Sequence, residues 1–192
     1  MKSMLIAFLE KFPSITTEEV GLIAEKLNCR EFKKGEVVEK EGRIPKYCYF
    51  VLSGCVRQYR LQDGLEKTLE FYTEANGVIN SLSFVNQTPS NYTLVCMEDS
   101  LLLLGDPAKD MEMYQEFPVL KKVTDYMMEK EWVKEREKFA SFISSSPEER
   151  YKNFIARRGD LLNRVPQHQI ASYLGMKPES LSRIRKRISV ST

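Results

Sequence analysis

Val165-Pro166-Gln167-His168-Gln169-Ile170-Ala171-Ser172-Tyr173-Leu174-Gly175-Met176-Lys177-Pro178-Glu179-Ser180-Leu181-Ser182-Arg183-Ile184 is the stretch from which the rest of the chain is read. Ile170, Ala171 and Leu174 are spaced as the apolar face of a short helix. Gly175 comes next, where a tight turn needs positive φ. Pro178 then fits the first position of a second helix, because a first-turn residue has no intrahelical use for its N–H. Leu181, Ile184 and Ile188 give that helix a packed stripe, and Glu179, Ser180, Arg183 and Arg187 give it a polar, cationic opposite side. Two short helices joined through a glycine turn form a helix-turn-helix, and a second helix of this kind is what the DNA major groove admits.

The side chains suit that task in different ways. Arg183 can donate two hydrogen bonds to guanine O6 and N7, and Glu179 can accept from the cytosine amino group, each good pair discriminating by about 1–3 kcal/mol. Arg185, Lys186 and Arg187 suit phosphates, which adds affinity without sequence information. Gln167 and His168 stand at the first helix's N-terminus, where free amides favour a phosphate. Lys177 and Ser180 complete the candidate DNA-binding set. Charge is distributed accordingly: residues 146–192 carry net +6 and residues 1–145 net −4. A solvated basic helix at a chain end is the plain alternative, but it explains neither the Gly175 turn nor the two matched apolar faces.

Upstream, Ser144-Ser145-Ser146-Pro147 breaks one helix and offers a cap for the next, whose Glu148 and Glu149 suit the positive end of the helix dipole. A domain boundary is placed there. Tyr151, Phe154, Ile155, Leu161 and Leu162 form the apolar side of the helical region beyond it, with a turn expected at Arg157-Arg158-Gly159-Asp160. Pro118 can open a long helix in which Val119, Val123, Tyr126, Val133 and Ala140 fall on a heptad-like seam, interrupted by Lys130 and Glu137. That seam suits pairing across a dimer axis or packing on the chain's own body, and periodicity leaves both open.

From Glu31 to Leu104 the pattern is of short β-rich runs: Glu36 to Val38, Tyr47 to Leu52, Val56 to Leu61, Thr68 to Tyr72, Tyr92 to Met97 and Leu101 to Leu104. Turn signals such as Gly54 and Asp63-Gly64 separate them, which argues for a small antiparallel barrel or sandwich. Before it, Thr16-Thr17-Glu18-Glu19 reads as a capping box for a helix with Val20, Ile23, Ala24 and Leu27 on one face. Cys29, Cys48, Cys55 and Cys96 make no Cys-x-x-Cys pair and are read as buried free thiols in a reducing cytosol. The apolar run in Met1 to Phe12 is too short for a signal peptide, and no stretch approaches the ~18 apolar residues of a membrane span. A cytoplasmic protein without membrane contact is expected.

The tail resembles the helix-turn-helix of the Crp/Fnr regulators, on Leu174-Gly175 and Glu179-Ser180-Leu181-Ser182-Arg183. The front half resembles the same family's cyclic-nucleotide-binding-like β-roll, on Phe32-Lys33-Lys34-Gly35-Glu36, Glu41-Gly42 and Tyr49-Phe50-Val51-Leu52-Ser53-Gly54-Cys55-Val56-Arg57. The resemblance implies an α+β fold: an N-terminal antiparallel β-roll of jelly-roll type with flanking helices, a long dimerisation helix and a small C-terminal helix-turn-helix domain. The corresponding segments are 1–117, 118–145 and 146–192. It also implies a homodimeric transcription regulator on a near-palindromic operator, a small effector of unknown identity, and RNA polymerase as a further partner.

Members that bind cyclic AMP carry a Gly-Glu pair and an Arg-Ser pair in the roll. Here the segment reads Asn76-Gly77-Val78-Ile79-Asn80-Ser81 and Thr88-Pro89-Ser90-Asn91-Tyr92-Thr93. Val78, Asn80, Ser81, Ser90 and Asn91 line the expected effector pocket with neither acid nor guanidinium. A cyclic phosphate there lacks its bidentate partner, so cyclic AMP is not expected to be the effector, and no cofactor is expected. The scattered cysteines do not suit an iron–sulfur cluster, and the single histidine, His168, lies in the tail. Thr192 comes closely after the second helix, so further strands are expected to be absent and DNA affinity lowered. A cupin-like enzyme is disfavoured because residues 31–105 hold no histidine, and Glu39 and Glu41 read as the wet face of a strand. A ligand- or partner-binding module with a vestigial DNA-binding tail is the alternative function.

Overall fold

The computed structural model describes residues 2–74, 78–79 and 82–190. Helices α1 (Lys2–Leu9) and α2 (Thr17–Lys26) precede strands β1 (Asn28–Phe32), β2 (Val37–Glu39), β3 (Cys48–Ser53), β4 (Val56–Gln62), β5 (Leu65–Tyr72) and β6 (Val78–Ile79). Helix α3 (Leu82–Asn86) leads to β7 (Thr93–Cys96) and β8 (Ser100–Gly105). The remainder is helical: α4 (Pro107–Glu116), α5 (Pro118–Ser144), α6 (Pro147–Arg158), a 3-10 turn over Gly159–Asn163, α7 (Gln167–Tyr173) and α8 (Pro178–Val190).

The strands form two four-stranded antiparallel sheets, ordered β1-β8-β3-β6 and β2-β7-β4-β5. Phe32, Tyr49, Val51, Val56, Leu94, Leu102 and Leu104 share the core between them. The β4–β5 hairpin closes on Asp63 and Gly64, both at positive φ, which is the two-residue turn whose twist matches that of its strands.

Each sheet is covered on its outer face by a different partner. Leu5, Leu9, Val20, Ile23, Met113, Phe117, Leu120 and Val123 from α1, α2, α4 and the start of α5 pack with Cys29, Leu52 and Leu103 of the first sheet. On the other side of the roll, Cys55 and Phe71 belong to the same apolar core as Phe154, Leu161, Ile170, Ala171, Leu174, Leu181 and Ile184 of the C-terminal helices. The chain's last segment is thus seated on the roll through an apolar surface, in addition to being tethered to it.

Local chemistry accounts for the helix starts. Thr16 and Ser146 both form capping boxes, with Glu19 and Glu149 respectively. Pro118 and Pro147 open α5 and α6 in the first turn. Several expectations need correction. Asn28–Phe32 is a strand, although its charged, mostly exposed pattern hid it. Arg157-Arg158 end α6, and Gly159-Asp160 continue directly into the 3-10 turn, because Leu161 is drawn fully into the core. Cys55 and Cys96 are buried, but Cys29 and Cys48 only partly so. Glu39 is no wet-face residue: it is 8% exposed.

Candidate functional site

The two short C-terminal helices are built by the residues that nominate them. Ile170 and Ala171 are buried on α7, and Gly175 takes φ +69° in the turn. Gly175 N–H donates to Ser172 O at 3.0 Å and Met176 N–H to Ala171 O at 3.0 Å, which ends α7 tightly. A Cβ on Gly175 would lie 2.9 Å from Phe142 Cζ, so glycine serves both the backbone angle and the close approach of α5.

Helix α8 buries Leu181 and Ile184 and packs Ile188 partly, leaving Glu179, Ser182, Arg183, Lys186 and Arg187 exposed. Gln167, His168 and Lys177 are exposed as well, whereas Ser180 and Arg185 are half-buried. Arg183 Nε lies 3.4 Å from Glu179 O, back along its own helix. Arg187 pairs with Glu148 at the start of α6, and Glu148 also holds Lys152 at 2.9 Å. A row of cationic and polar side chains on one exposed helix face, held by a buried stripe on the other, can present guanidinium, ammonium and carboxylate groups to a polyanion and to base edges.

The expected effector pocket is assembled differently. Asn80 and Ser81 lie outside the described residues, Val78 is placed in β6, and Asn91 is exposed. Ser90 is buried, but its hydroxyl donates to Tyr92 O at 3.0 Å within its own loop. The buried guanidinium of Arg57 is committed to Glu66 at 2.6 Å and Thr68 Oγ1 at 2.9 Å. Glu39 Oε1 is buried without a hydrogen-bond partner. Burial, offset in part by Ser90, holds that carboxyl above the ordinary range.

The polar residues that sequence reasoning missed are those joining the helical tail to the roll. Glu70 of β5, almost fully buried, receives Lys138 from α5 and lies 3.6 Å from Arg158 Nη1 of α6. Arg158 Nη2 also donates to Phe71 O at 2.9 Å. Arg164 donates to Gly54 O at 2.9 Å and to Glu98 Oε1 at 2.5 Å, with Glu74 at 3.3 Å. The hydrogen bond with Glu98 is the main cause raising the Arg164 guanidinium further above its ordinary value. Glu74 is lowered overall: burial opposes the shift, but hydrogen bonds from its own backbone N–H, from Gly54 N–H and from Arg164 prevail. A charged residue set between Leu69 and Phe71 was the available signal for Glu70, while Arg158 and Arg164 read only as part of a general basic excess.

Residues 29–116 match the cyclic nucleotide-binding domain family. The chain is similar in structure to FixK2 from Bradyrhizobium japonicum, at 17% identity over 86% of this chain and 85% of that one, with a TM-score of 0.69. It is also similar to a CooA mutant from Carboxydothermus hydrogenoformans, at 17% identity over 92% and 82%, TM-score 0.68. For the catabolite activator protein of Thermus thermophilus the values are 20% identity over 94% and 86%, TM-score 0.53. Comparison with curated protein sequences finds no match. Among the described residues no helix is long and apolar enough to cross a membrane, and no cluster of His, Cys, Asp and Glu has the makings of a metal site.

Proposed function

Taking the chain as a protein of Crp/Fnr fold with a cyclic nucleotide-binding domain at residues 29–116, we propose that it is a cytoplasmic transcription regulator that reads DNA as a homodimer. Its units in this reading are a sensor at 1–117, a dimerising helix at 118–145 and a DNA-binding unit at 146–192. The observation that carries the reading is the division of α8: Leu181 and Ile184 hold it in the core while Glu179, Arg183 and Lys186 stand in solvent beyond the Gly175 turn. Arg183 and Glu179, with Ser180 beside them, address base edges, and Gln167, His168, Lys177, Arg185, Lys186 and Arg187 address phosphates.

Dimerisation is supported by α5. Tyr126 and Val133, and Trp132 and Phe139, recur seven residues apart, and with Ile143 they leave a bare apolar stripe on which Trp132 is 71% and Phe139 68% exposed. A stripe of that kind on a 27-residue helix suits a second copy of itself. Arg57, the buried guanidinium of the roll among the described residues, is already bound to Glu66 and Thr68, which supports an effector other than cyclic AMP.

Selection of bound sequences from a random duplex pool tests the proposal, run at near-physiological salt with the wild type and with Arg183→Ala. A two-fold symmetric motif that relaxes at one position per half-site in the variant is the expected result. Enrichment of nothing, with weak retention that disappears as salt rises, would overturn it and favour a ligand-binding module with a vestigial tail.

A further inference from the structure

The seam between α5, the C-terminal helices and the roll contains three arginines placed where each ties two or more elements together. Arg150, in the first turn of α6, donates from Nε to Phe142 O and Ser145 O, each at 3.1 Å, and from Nη1 to Leu174 O at 3.3 Å. Its guanidinium carbon lies 3.8 Å from the centre of the Phe142 ring, the ring that also sits against Gly175. One side chain therefore spans the break between α5 and α6 and reaches the end of α7. Arg158 and Arg164 act farther along, on Phe71 O and Gly54 O of the roll and on the carboxylates of Glu70, Glu74 and Glu98.

These contacts have the character of a fixed joint. Main-chain carbonyls of a closed roll cannot follow a moving partner, and a planar guanidinium bonds them only in a narrow range of orientations. Ser172 adds a fourth tie by accepting Thr68 N–H at 3.0 Å, and the Phe71 and Tyr173 rings meet at 5.5 Å. The break at Ser144–Pro147, where the sequence places a domain boundary, is braced on both sides.

We infer that Arg150, Arg158 and Arg164 are positioning residues that fix the spacing of the two DNA half-sites the protein accepts. The inference rests on the dimeric DNA-reading function proposed above. If two chains pair along α5, the angle between α5 and α8 within each chain decides how far apart the two α8 helices stand. Half-sites are separated by about 34 Å per ten base pairs, so adding one pair moves a site by roughly 3.4 Å and turns it by about a tenth of a revolution. A body locked at three arginines cannot absorb that displacement, and a body released from them can.

The test measures retention of full-length protein on duplexes carrying the selected half-sites with the spacer changed by one or two base pairs. It is run for wild type, Arg158→Gln/Arg164→Gln and, separately, Arg150→Gln. Wild type is expected to lose at least ~10-fold on a one-pair change, comparable to a mismatched base, while the variants lose less than ~3-fold with half-site base preference unchanged. Amide hydrogen exchange on the same proteins gives a readout without DNA. Thr68 N–H should lose protection in the double variant, while β1 and β8 amides, paired within the first sheet, keep theirs and show that the roll is folded.

Variants that keep both the wild-type spacing preference and Thr68 protection overturn the inference, as does a wild type that reads half-sites but tolerates every spacer. A wild type that retains no duplex at any spacing instead removes the DNA-reading function on which the inference stands, whatever exchange shows.

Discussion

The hydroxyl oxygen of Ser172 on α7 accepts the backbone N–H of Thr68 on β5 at 3.0 Å, and the same hydroxyl reaches Glu66 O at 3.4 Å. An amide on β5, the edge strand of the second sheet, thus has its partner in the C-terminal helices. Ser172→Ala leaves that amide without an acceptor and is expected to lower stability by about 1–2 kcal/mol, measured as a shift in the urea midpoint. An unchanged midpoint would mean that water replaces the hydroxyl freely and that the seam is looser than its geometry implies.

Gly175→Ala meets two obstacles at once. The left-handed backbone costs a residue with a Cβ about 1–2 kcal/mol, and Phe142 must also move from a 2.9 Å contact. A clear fall in the thermal midpoint is expected, with Phe142→Ala/Gly175→Ala recovering only the steric part.

On α5, Trp132→Glu and Phe139→Glu place charge in the stripe proposed to pair with a second copy. Each is expected to weaken self-association by at least ~10-fold, since burying an unpaired polar group costs on the order of 1–3 kcal/mol. Sedimentation equilibrium reads this directly. Dimers of undiminished affinity in both variants would move the interface elsewhere.

Base reading and phosphate contact should separate in DNA titrations. Arg183→Ala is expected to lose roughly 1–3 kcal/mol on the selected site and to relax one position of it. Lys186→Ala should weaken all sequences alike and reduce the slope of log affinity against log salt by about 1 per protomer. The reverse pattern would exchange the two roles.

Glu39 gives the molecule a pH dependence of known sign. Its carboxyl titrates above the ordinary range because it is buried, so between the unfolded and folded values the folded state binds more protons. Stability from this group is therefore present at low pH and declines as pH rises through that interval. Glu39→Gln should raise the thermal midpoint at about pH 8 more than at about pH 5. An equal effect at both would show that the carboxyl ionises in the native roll as it does in the unfolded chain.

Much of this architecture is legible in the sequence because short-range physics fixes it. The capping boxes at Thr16 and Ser146, the prolines opening α5, α6 and α8, and the Gly175 turn each declare themselves within four residues. Six strands stand within a few residues of their apolar runs, while Asn28–Phe32 escaped because only Phe32 in it is buried. The α5 seam was half visible. Val119 and Val123 pack on the chain's own roll, Tyr126, Val133 and Ala140 do not, and the flanking Trp132 and Phe139 enlarge the bare stripe.

On α8 the split between a buried and a polar face comes from 3.6-residue periodicity, which also explains why Ser180 and Arg185, at its margins, prove half-buried. The docking seam was not legible. Glu70 and Lys138 are 68 positions apart, Gly54 and Arg164 are 110 apart, and no local pattern marks either pair. Glu39 was misread because alternation along a strand identifies which residues share a face and leaves open which face is wet.

Helix α5 has no idle side. Lys138 reaches the roll to meet Glu70, while Trp132, Phe139 and Ile143 look outward. One flank is tied to β5 by an ion pair and the other carries a bare apolar strip, so the helix is a strut between the roll and whatever covers the strip. If a second copy covers that strip, as proposed, one helix carries load from the partner to β5 through the Lys138–Glu70 pair.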